Sequence, residues 1–307
     1  MAENRRTDEM LRLTLLGGQA RVLLCETTAL CQEAADIHQT TPVCTAALGR
    51  LMTGTLMLGV MLKGQGESVS VTVKGGGPMG TLVAVADSAG CVRACCDDPQ
   101  VELPLRADGK LDVGGAVGAH GRMSVVKDLG LREPYIGQSE LVSGELGIDF
   151  ANYFTVSEQQ PSLVALGALV QGPKVVRAGG LLIQPLPGCE EKTLDQLELR
   201  SPMFADISRE LNAAPKEELI EGWFRGLEPE LLDRTPLHYR CTCSRERMER
   251  ALLTLNPADL DEIIAEDKGA ELNCHFCRKT YRFTTAELTA LRAAGRSRDP
   301  ESGDGEG

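Results

Sequence analysis

The residues of this sequence best suited to chemistry are two close cysteine pairs, Cys241-Thr242-Cys243 and Cys274-His275-Phe276-Cys277, with thirty residues between them. A tetrahedral zinc ion takes four soft ligands, and two such pairs drawn together by an intervening segment supply them as thiolates. The spacing therefore points to one Zn(2+) per chain, held by Cys241, Cys243, Cys274 and Cys277. Cys-x-Cys is rarer than Cys-x-x-Cys, but four unrelated cysteines have no reason to fall into two close pairs. His238 and His275 stand nearby as substitute ligands, yet four cysteines already complete the coordination. Most four-cysteine sites are structural staples, and spacing alone leaves this one in that class.

The segments around the cysteines read as elements able to bring them together. Arg245 to Leu255 has a helical pattern, Asn256-Pro257 interrupts it, and Pro257 to Glu266 forms a second helix with Asn256 as its N-cap. Leu272 and Tyr281-Arg282-Phe283 are strand-like and place the second pair at a turn. A unit of this size, residues 238–291, has too little core to stand without a metal or disulfides. The tail beyond it, 292–307, is polar and glycine-rich, and disorder is expected there.

Upstream, residues 1–188 alternate between strand and helix signals. Leu11, Leu13 and Leu15 alternate, Gly17-Gly18 turns the chain, and Ala20 to Cys25 continues as a second strand. Glu26 to His38 is helical, and Thr41-Pro42 opens a helix to Leu62 that is apolar or small on nearly every face, as an enclosed helix is. Val69–Lys74, Thr81–Ala86 and Cys91–Cys95 form an antiparallel meander. Strands at Met123–Lys127 and Tyr135–Glu140, a helix over Gly144–Ser157 and strands at Leu163–Val170 and Val175–Gln184 complete the domain. Hairpin-paired strands with helices between them imply an α+β fold, antiparallel strands around a buried helix.

Pro185-Leu186-Pro187-Gly188 marks a boundary. From Glu190 to Leu237, twelve acidic residues stand against six basic ones, in short amphipathic helical segments. Residues 189–237 thus read as a charged helical linker. Its apolar stripe carries Leu194, Leu197, Ile207 and Leu211, with Leu219, Ile220, Trp223 and Phe224 as an aromatic anchor. Such a stripe needs a surface to lie on.

The formal net charge of −12 argues against nucleic-acid or anionic-membrane partners, and residues 238–290, with eight Lys/Arg and nine Asp/Glu, have no basic footprint. No export signal is visible at the N-terminus, and the apolar run Val43–Leu62 is interrupted by Arg50 and three glycines, so a cytoplasmic location is expected. Eleven cysteines are many for a reducing compartment. Outside the two pairs, Cys25, Cys31, Cys44, Cys91, Cys95, Cys96 and Cys189 are expected to be small buried residues, with Cys95-Cys96 and Cys189 the candidates for exposure. An enzyme finds little support. Gly75, Gly77 and Gly80 fit a dinucleotide-binding pattern, but the strand Thr81–Ala86 follows where a helix N-terminus is required. Leu141 stands two residues before Ser143, where a nucleophile elbow needs glycine, and no acid–base pair is legible among four histidines.

Several motifs beyond the cysteines carry a family resemblance. They include Thr41-Pro42-Val43 with Thr45-Ala46-Ala47-Leu48-Gly49-Arg50-Leu51, Lys74-Gly75-Gly76-Gly77-Pro78-Met79-Gly80, and Lys127-Asp128-Leu129-Gly130-Leu131-Arg132-Glu133-Pro134-Tyr135. Leu141-Val142-Ser143-Gly144-Glu145, Tyr153-Phe154 with Ser157-Glu158-Gln159-Gln160-Pro161, and Ala178-Gly179-Gly180 add to them. With the C-terminal cysteine pairs, they make residues 11–290 resemble the 33-kDa redox-regulated heat-shock chaperones. The resemblance implies an ATP-independent holdase of unfolding proteins, inactive when reduced and zinc-bound. It implies activation by disulfides Cys241–Cys243 and Cys274–Cys277 with release of zinc, although four cysteines formally allow three pairings. It further implies a client-holding domain in 1–188, a linker whose Leu219, Ile220, Trp223 and Phe224 contact clients when freed, and a homodimer in the oxidised state. A structural zinc ribbon without switching is the alternative.

Overall fold

The computed structural model describes residues 7–266 and 268–296. The chain falls into two compact units that join between Arg240 and Cys241.

The first unit opens with a hairpin, β1 (Glu9–Leu15) and β2 (Ala20–Glu26), followed by helices α1 (Thr28–His38) and α2 (Pro42–Val60). The strands β3 (Ser68–Lys74), β4 (Thr81–Asp87) and β5 (Cys91–Cys96) form the expected meander, and Gly75 to Gly80 turns β3 into β4. A short helix α3 (Val113–Val117) precedes β6 (Arg122–Asp128), β7 (Tyr135–Glu140), α4 (Leu146–Val156), β8 (Leu163–Gln171) and β9 (Lys174–Pro185). Helices α5 (Glu191–Arg200), α6 (Ile207–Ala213) and α7 (Lys216–Trp223) lead into strands β10 (Glu230–Pro236) and β11 (His238–Tyr239). Two mixed-origin sheets result, one in the order β10-β1-β2-β9-β8 and one in the order β11-β5-β4-β3-β6-β7. The fold is α+β with mainly antiparallel strands, as the hairpin pattern implies.

Helix α2 is buried along almost its whole length because it is wrapped by β3, β4, β5, β8 and β9 together with α1, α3 and α4. Among the described residues it is the helix long and apolar enough to cross a bilayer, and 94% of that window lies inside the protein. Thr41 occupies the cap position, but its hydroxyl donates to the Val101 carbonyl (2.5 Å) rather than capping the helix. Strands β2 and β9 at the centre of the first sheet are buried on both faces, and period-two alternation shows how. Leu23 and Cys25 of β2 join the core around α2, while Val22 and Leu24 point to a second cluster. Leu11, Leu13 and Leu15 of β1 and Leu181 and Ile183 of β9 face that second cluster too.

The second cluster is closed by the acidic stretch after residue 189. Leu197, Phe204, Ile207, Leu211, Leu219, Ile220, Trp223, Phe224 and Leu227 are all buried in it. The apolar stripe therefore lies on the outer face of the first sheet. This stretch departs from the helical expectation at its end, where Glu230–Pro236 is a strand paired with β1. His238 and Tyr239, read from the sequence as the start of the cysteine unit, pair in parallel with Cys91 and Val92.

The second unit contains α8 (Arg245–Leu253), α9 (Pro257–Ala265), the hairpin β12 (Ala270–Asn273) and β13 (Thr280–Phe283), and α10 (Thr285–Arg296). Ser244 caps α8 by accepting from the Arg247 amide, and Asn256 caps α9 by accepting from Ala258 with Pro257 at the first position. Its core is small: Leu252, Leu260, Cys274, Tyr281, Phe283 and Leu288. The tail expectation for 292–307 is corrected in part, since α10 carries helix to Arg296; residues 297–307 lie outside the described residues.

Candidate metal centre

Each cysteine pair sits at the mouth of a rigid element. Cys241 and Cys243 immediately precede the Ser244 cap of α8, and Cys274 and Cys277 flank the turn of the β12–β13 hairpin. In that turn the Cys274 amide donates to the Lys279 carbonyl (2.9 Å), and the Arg278 amide donates to the Cys274 carbonyl (2.8 Å). Arg278 takes the left-handed conformation, φ +58°, that closes the turn.

The structure brings all four sequence-selected cysteines together, their Sγ atoms within 4.8 Å of one another. Cys241 and Cys274 sulfurs lie 3.6 Å apart, and Cys243 and Cys277 sulfurs 3.4 Å apart. A tetrahedral zinc with Zn–S bonds near 2.3 Å would space its sulfurs by about 3.8 Å, so the donor set fits such an ion with little adjustment. His275 and His238 are no part of the group. The Tyr281 hydroxyl donates to the Cys243 sulfur (3.1 Å), and the Arg247 guanidinium donates to the Thr242 hydroxyl (2.7 Å) between the first two ligands.

The thiols differ electrostatically. Burial pushes Cys241 up, and the neighbouring thiols add to the effect. Burial also raises Cys243, but hydrogen bonds from Tyr281 and from the other thiols outweigh it and bring this group down to about 7. Burial raises Cys277. One sulfur thus reaches thiolate near neutrality, the form a metal or an oxidant requires.

The other seven cysteines are placed differently. Cys25, Cys31, Cys44, Cys91 and Cys96 are buried, and Cys95 and Cys189 are half-buried. Cys96, a candidate for exposure, is buried: alternation along β5 turns it inward opposite Leu82 of β4. Burial pushes the Cys25 and Cys96 thiols up to about 12, which keeps them protonated and unreactive.

Leu219, Ile220, Trp223 and Phe224 all lie buried against the first sheet, and Trp223 meets Phe204 edge-on at 5.4 Å between ring centres. Sequence reasoning missed Phe204, the last residue of the 3-10 turn Ser201–Phe204 that follows α5, and it missed the ionic partners of α7. Lys216 at the start of α7 is buried against Glu26 of β2, at 3.1 Å, and Glu9 of β1, at 3.4 Å; Arg177 of β9 also pairs with Glu26. One lysine among six basic residues of an acidic linker gives no signal of such partners 190 residues away.

Comparison with known proteins agrees with this architecture across the chain. Residues 8–284 match the family model described as Hsp33 protein. A protein of Clostridioides difficile named 33 kDa chaperonin is 44% identical over 285 residues, covering 92% of this chain and 98% of that one. A 33 kDa chaperonin of Bacillus subtilis is 44% identical over 286 residues, covering 93% and 98%. The crystal structure of the 33 kDa chaperonin (heat shock protein 33 homolog) of Thermotoga maritima superposes with a TM-score of 0.87 at 31% identity, over 95% of this chain and 100% of that one. A match of this extent in both sequence and fold has one meaning: this chain belongs to the Hsp33 family.

Proposed function

We propose that this chain is a redox-regulated, ATP-independent holdase that binds unfolding proteins, with its four-thiol cluster as the switch. The observation that carries the reading is the gathering of Cys241, Cys243, Cys274 and Cys277 within 4.8 Å in a unit whose core is six buried side chains, Cys274 among them. One zinc per chain would supply the cross-link that this small core lacks, since structural zinc contributes ~10–16 kcal/mol of apparent folding free energy. That is comparable to the whole stability of a domain, ~5–15 kcal/mol. The family membership and the chaperonin names of the relatives support the client-binding part.

Oxidation removes the ligand set. Two thiols give up two electrons and two protons as a disulfide forms, and a peroxide accepts them as it is reduced to water. With both pairs oxidised, as Cys241–Cys243 and Cys274–Cys277, no thiolate is left to ligate and the second unit loses its cross-link. The linker of residues 189–237 is then free to leave the first sheet, and the face bearing Leu219, Ile220, Trp223 and Phe224 becomes available to clients. We assign the oxidised form as a homodimer acting in the cytoplasm, with no nucleic-acid or membrane partner and no enzymatic turnover.

The test follows metal and client together. Zinc-loaded reduced protein is exposed to peroxide with mild heating while a metal-binding dye reports zinc and light scattering reports aggregation of a heat-unfolded client. About one zinc per chain should appear, and scattering should fall only after oxidation. Zinc retention, or equal scattering in both states, would leave a structural zinc ribbon that does not switch.

A further inference from the structure

The segment 230–240 crosses the edges of both sheets of the first unit before it reaches the first metal-ligand candidate. Strand β10 ends one sheet by pairing antiparallel with β1, and β11 ends the other by pairing parallel with β5. Between them the Leu237 amide donates to the Asp8 carbonyl (3.0 Å), and beyond them the Arg240 amide donates to the Val92 carbonyl (2.8 Å). The next residue is Cys241.

Strand β10 is held mainly by its backbone. Its side chains are almost all exposed, with Leu231 at 44% and Leu232 at 53%. Its register slips between Arg12 and Leu13, a bulge that leaves Leu232 outside the pairing. It covers the apolar residues of β1 only in part. Leu11, Leu13 and Leu15 of β1 belong to the buried second cluster, and β10 sets Leu231 opposite Leu13 but Arg234 opposite Leu11, and its pairing stops at Thr14, short of Leu15. Exposed ion pairs of Arg234 with Glu9 (3.1 Å) and Glu217 (2.9 Å) fasten it, and such pairs contribute little.

We propose that residues 230–240 form a strap over the β1 edge, and that this edge, once the strap lifts, takes an extended segment of an unfolding polypeptide as an added antiparallel strand. The proposal rests on the switch reading above and adds, to the face of Leu219, Ile220, Trp223 and Phe224, a second surface that holds the client. The occupant follows from the edge itself. An unpaired strand presents a row of amides and carbonyls that any extended backbone satisfies, whatever its sequence. Alternate residues of an added strand lie beside Leu11, Leu13 and Leu15, so an apolar, extended segment keeps the match that Leu231 gives Leu13 and adds one at Leu11, where the strap has Arg234, and at Leu15, where it has nothing. Strands β7 and β8 close the other ends of the two sheets without any strand neighbour among the described residues. Pairing there would not depend on the strap. Residues 230–240 cover two edges on the way to Cys241, β5 at two positions and β1 at six, so β1 is the longer edge whose availability is tied to that segment.

Hydrogen exchange on the full chain tests this. Zinc-loaded reduced protein, oxidised zinc-free protein, and the oxidised protein saturated with reduced carboxymethylated α-lactalbumin, a permanently unfolded chain, are compared. Fluorescence anisotropy of the labelled probe is read in the same samples. The β10-facing amides of Glu9–Leu15 should exchange at least about tenfold faster on oxidation and return about tenfold slower with the probe bound, while β2-facing amides stay protected. Continued protection of β1 after oxidation overturns the strap. Probe binding with β1 still open, or with new protection on Tyr135–Glu140 or Leu163–Gln171 instead, overturns the edge while leaving the holdase reading intact. Failure of the probe to bind at all removes both.

Discussion

The Lys216 ammonium lies 3.1 Å from the Glu26 carboxylate, and both side chains are buried, 7% and 2% exposed. One belongs to α7 and the other to the middle of the first sheet, so this pair joins the acidic linker to the core. A buried ion pair is weak evidence for net stability, because desolvation offsets attraction, but breaking one leaves a charge without its partner. The pair therefore fixes where α7 can dock: only one register puts the ammonium between Glu26 and Glu9.

Replacing Lys216 with Met should loosen this docking selectively. Arg177 still pairs with Glu26, so the cost should be about 1–3 kcal/mol rather than the larger penalty of a fully orphaned charge. Trp223, the single tryptophan, sits on the same helix and reports the change by fluorescence during urea titration. Its transition should move to lower urea in Lys216→Met. In the double variant with Glu26→Gln the two costs should not add. Additive costs would mean that the two groups do not act on one another.

Asp8 provides a pH dependence of unusual sign. Its carboxylate accepts from the Ala29 amide (3.1 Å) and the Leu30 amide (2.7 Å), yet burial lifts its pKa to about 6, with Glu26 raising and Lys216 lowering it further. Between its unfolded value near 4 and about 6, the folded state holds the proton and the unfolded state does not. Stability of the first unit should therefore fall as pH rises through this window, by roughly 3 kcal/mol at most. Asp8→Asn should flatten that slope when urea midpoints are measured from pH 4 to 7. A slope that survives in the variant would place the titration elsewhere.

Tyr281→Phe removes the hydroxyl that donates to the Cys243 sulfur while keeping the ring that fills the small core. Losing such an outer hydrogen bond costs metal sites about 10–100-fold in affinity. Competition with a coloured chelator should show zinc held about tenfold more weakly, with the far-ultraviolet dichroism of the loaded protein unchanged. Unaltered affinity would mean that the hydroxyl does not support the ligand.

What was legible in the sequence was local. Leu11, Leu13 and Leu15 alternate within a few residues, Thr41-Pro42 starts a helix, Asn256-Pro257 starts another, and the cysteines come as adjacent pairs. Each of these features is decided by neighbours in the chain. The features that escaped are decided by partners far away. Strand β10 has no strand pattern of its own and exists because β1 offers an edge more than 200 residues earlier; Arg234 and Glu9 alone are 225 residues apart. The burial of Lys216 depends on Glu26 in the same way. Cys96 turned out buried because the meander's register points it inward, and composition around it gives no hint of that. At the metal centre the four ligand candidates were legible from spacing, while the Tyr281 contact needed the hairpin to fold back.

Removing metal without oxidant separates the two units by their cores. The first unit buries α2 and both faces of β2 and β9, whereas the second rests on six buried side chains, Cys274 and Tyr281 among them. A chelator under reducing conditions should therefore strip protection from amides of α8, α9, β12 and β13 and leave those of α2, β2 and β9 slow to exchange. Adding zinc back should restore them, because no disulfide has formed. The same protein oxidised by peroxide should lose the same protection but regain it only when a thiol reductant accompanies the zinc. Peptide mapping of that oxidised sample decides the pairing. Sγ contacts in this structure run across the pairs, Cys241 to Cys274 and Cys243 to Cys277, so folded proximity does not select the Cys241–Cys243 and Cys274–Cys277 bridges. Those bridges should prevail because oxidation and unfolding proceed together, and in an unfolding chain the shortest loops close first. Recovery of cross-pair bridges instead would mean that oxidation is complete before the unit opens.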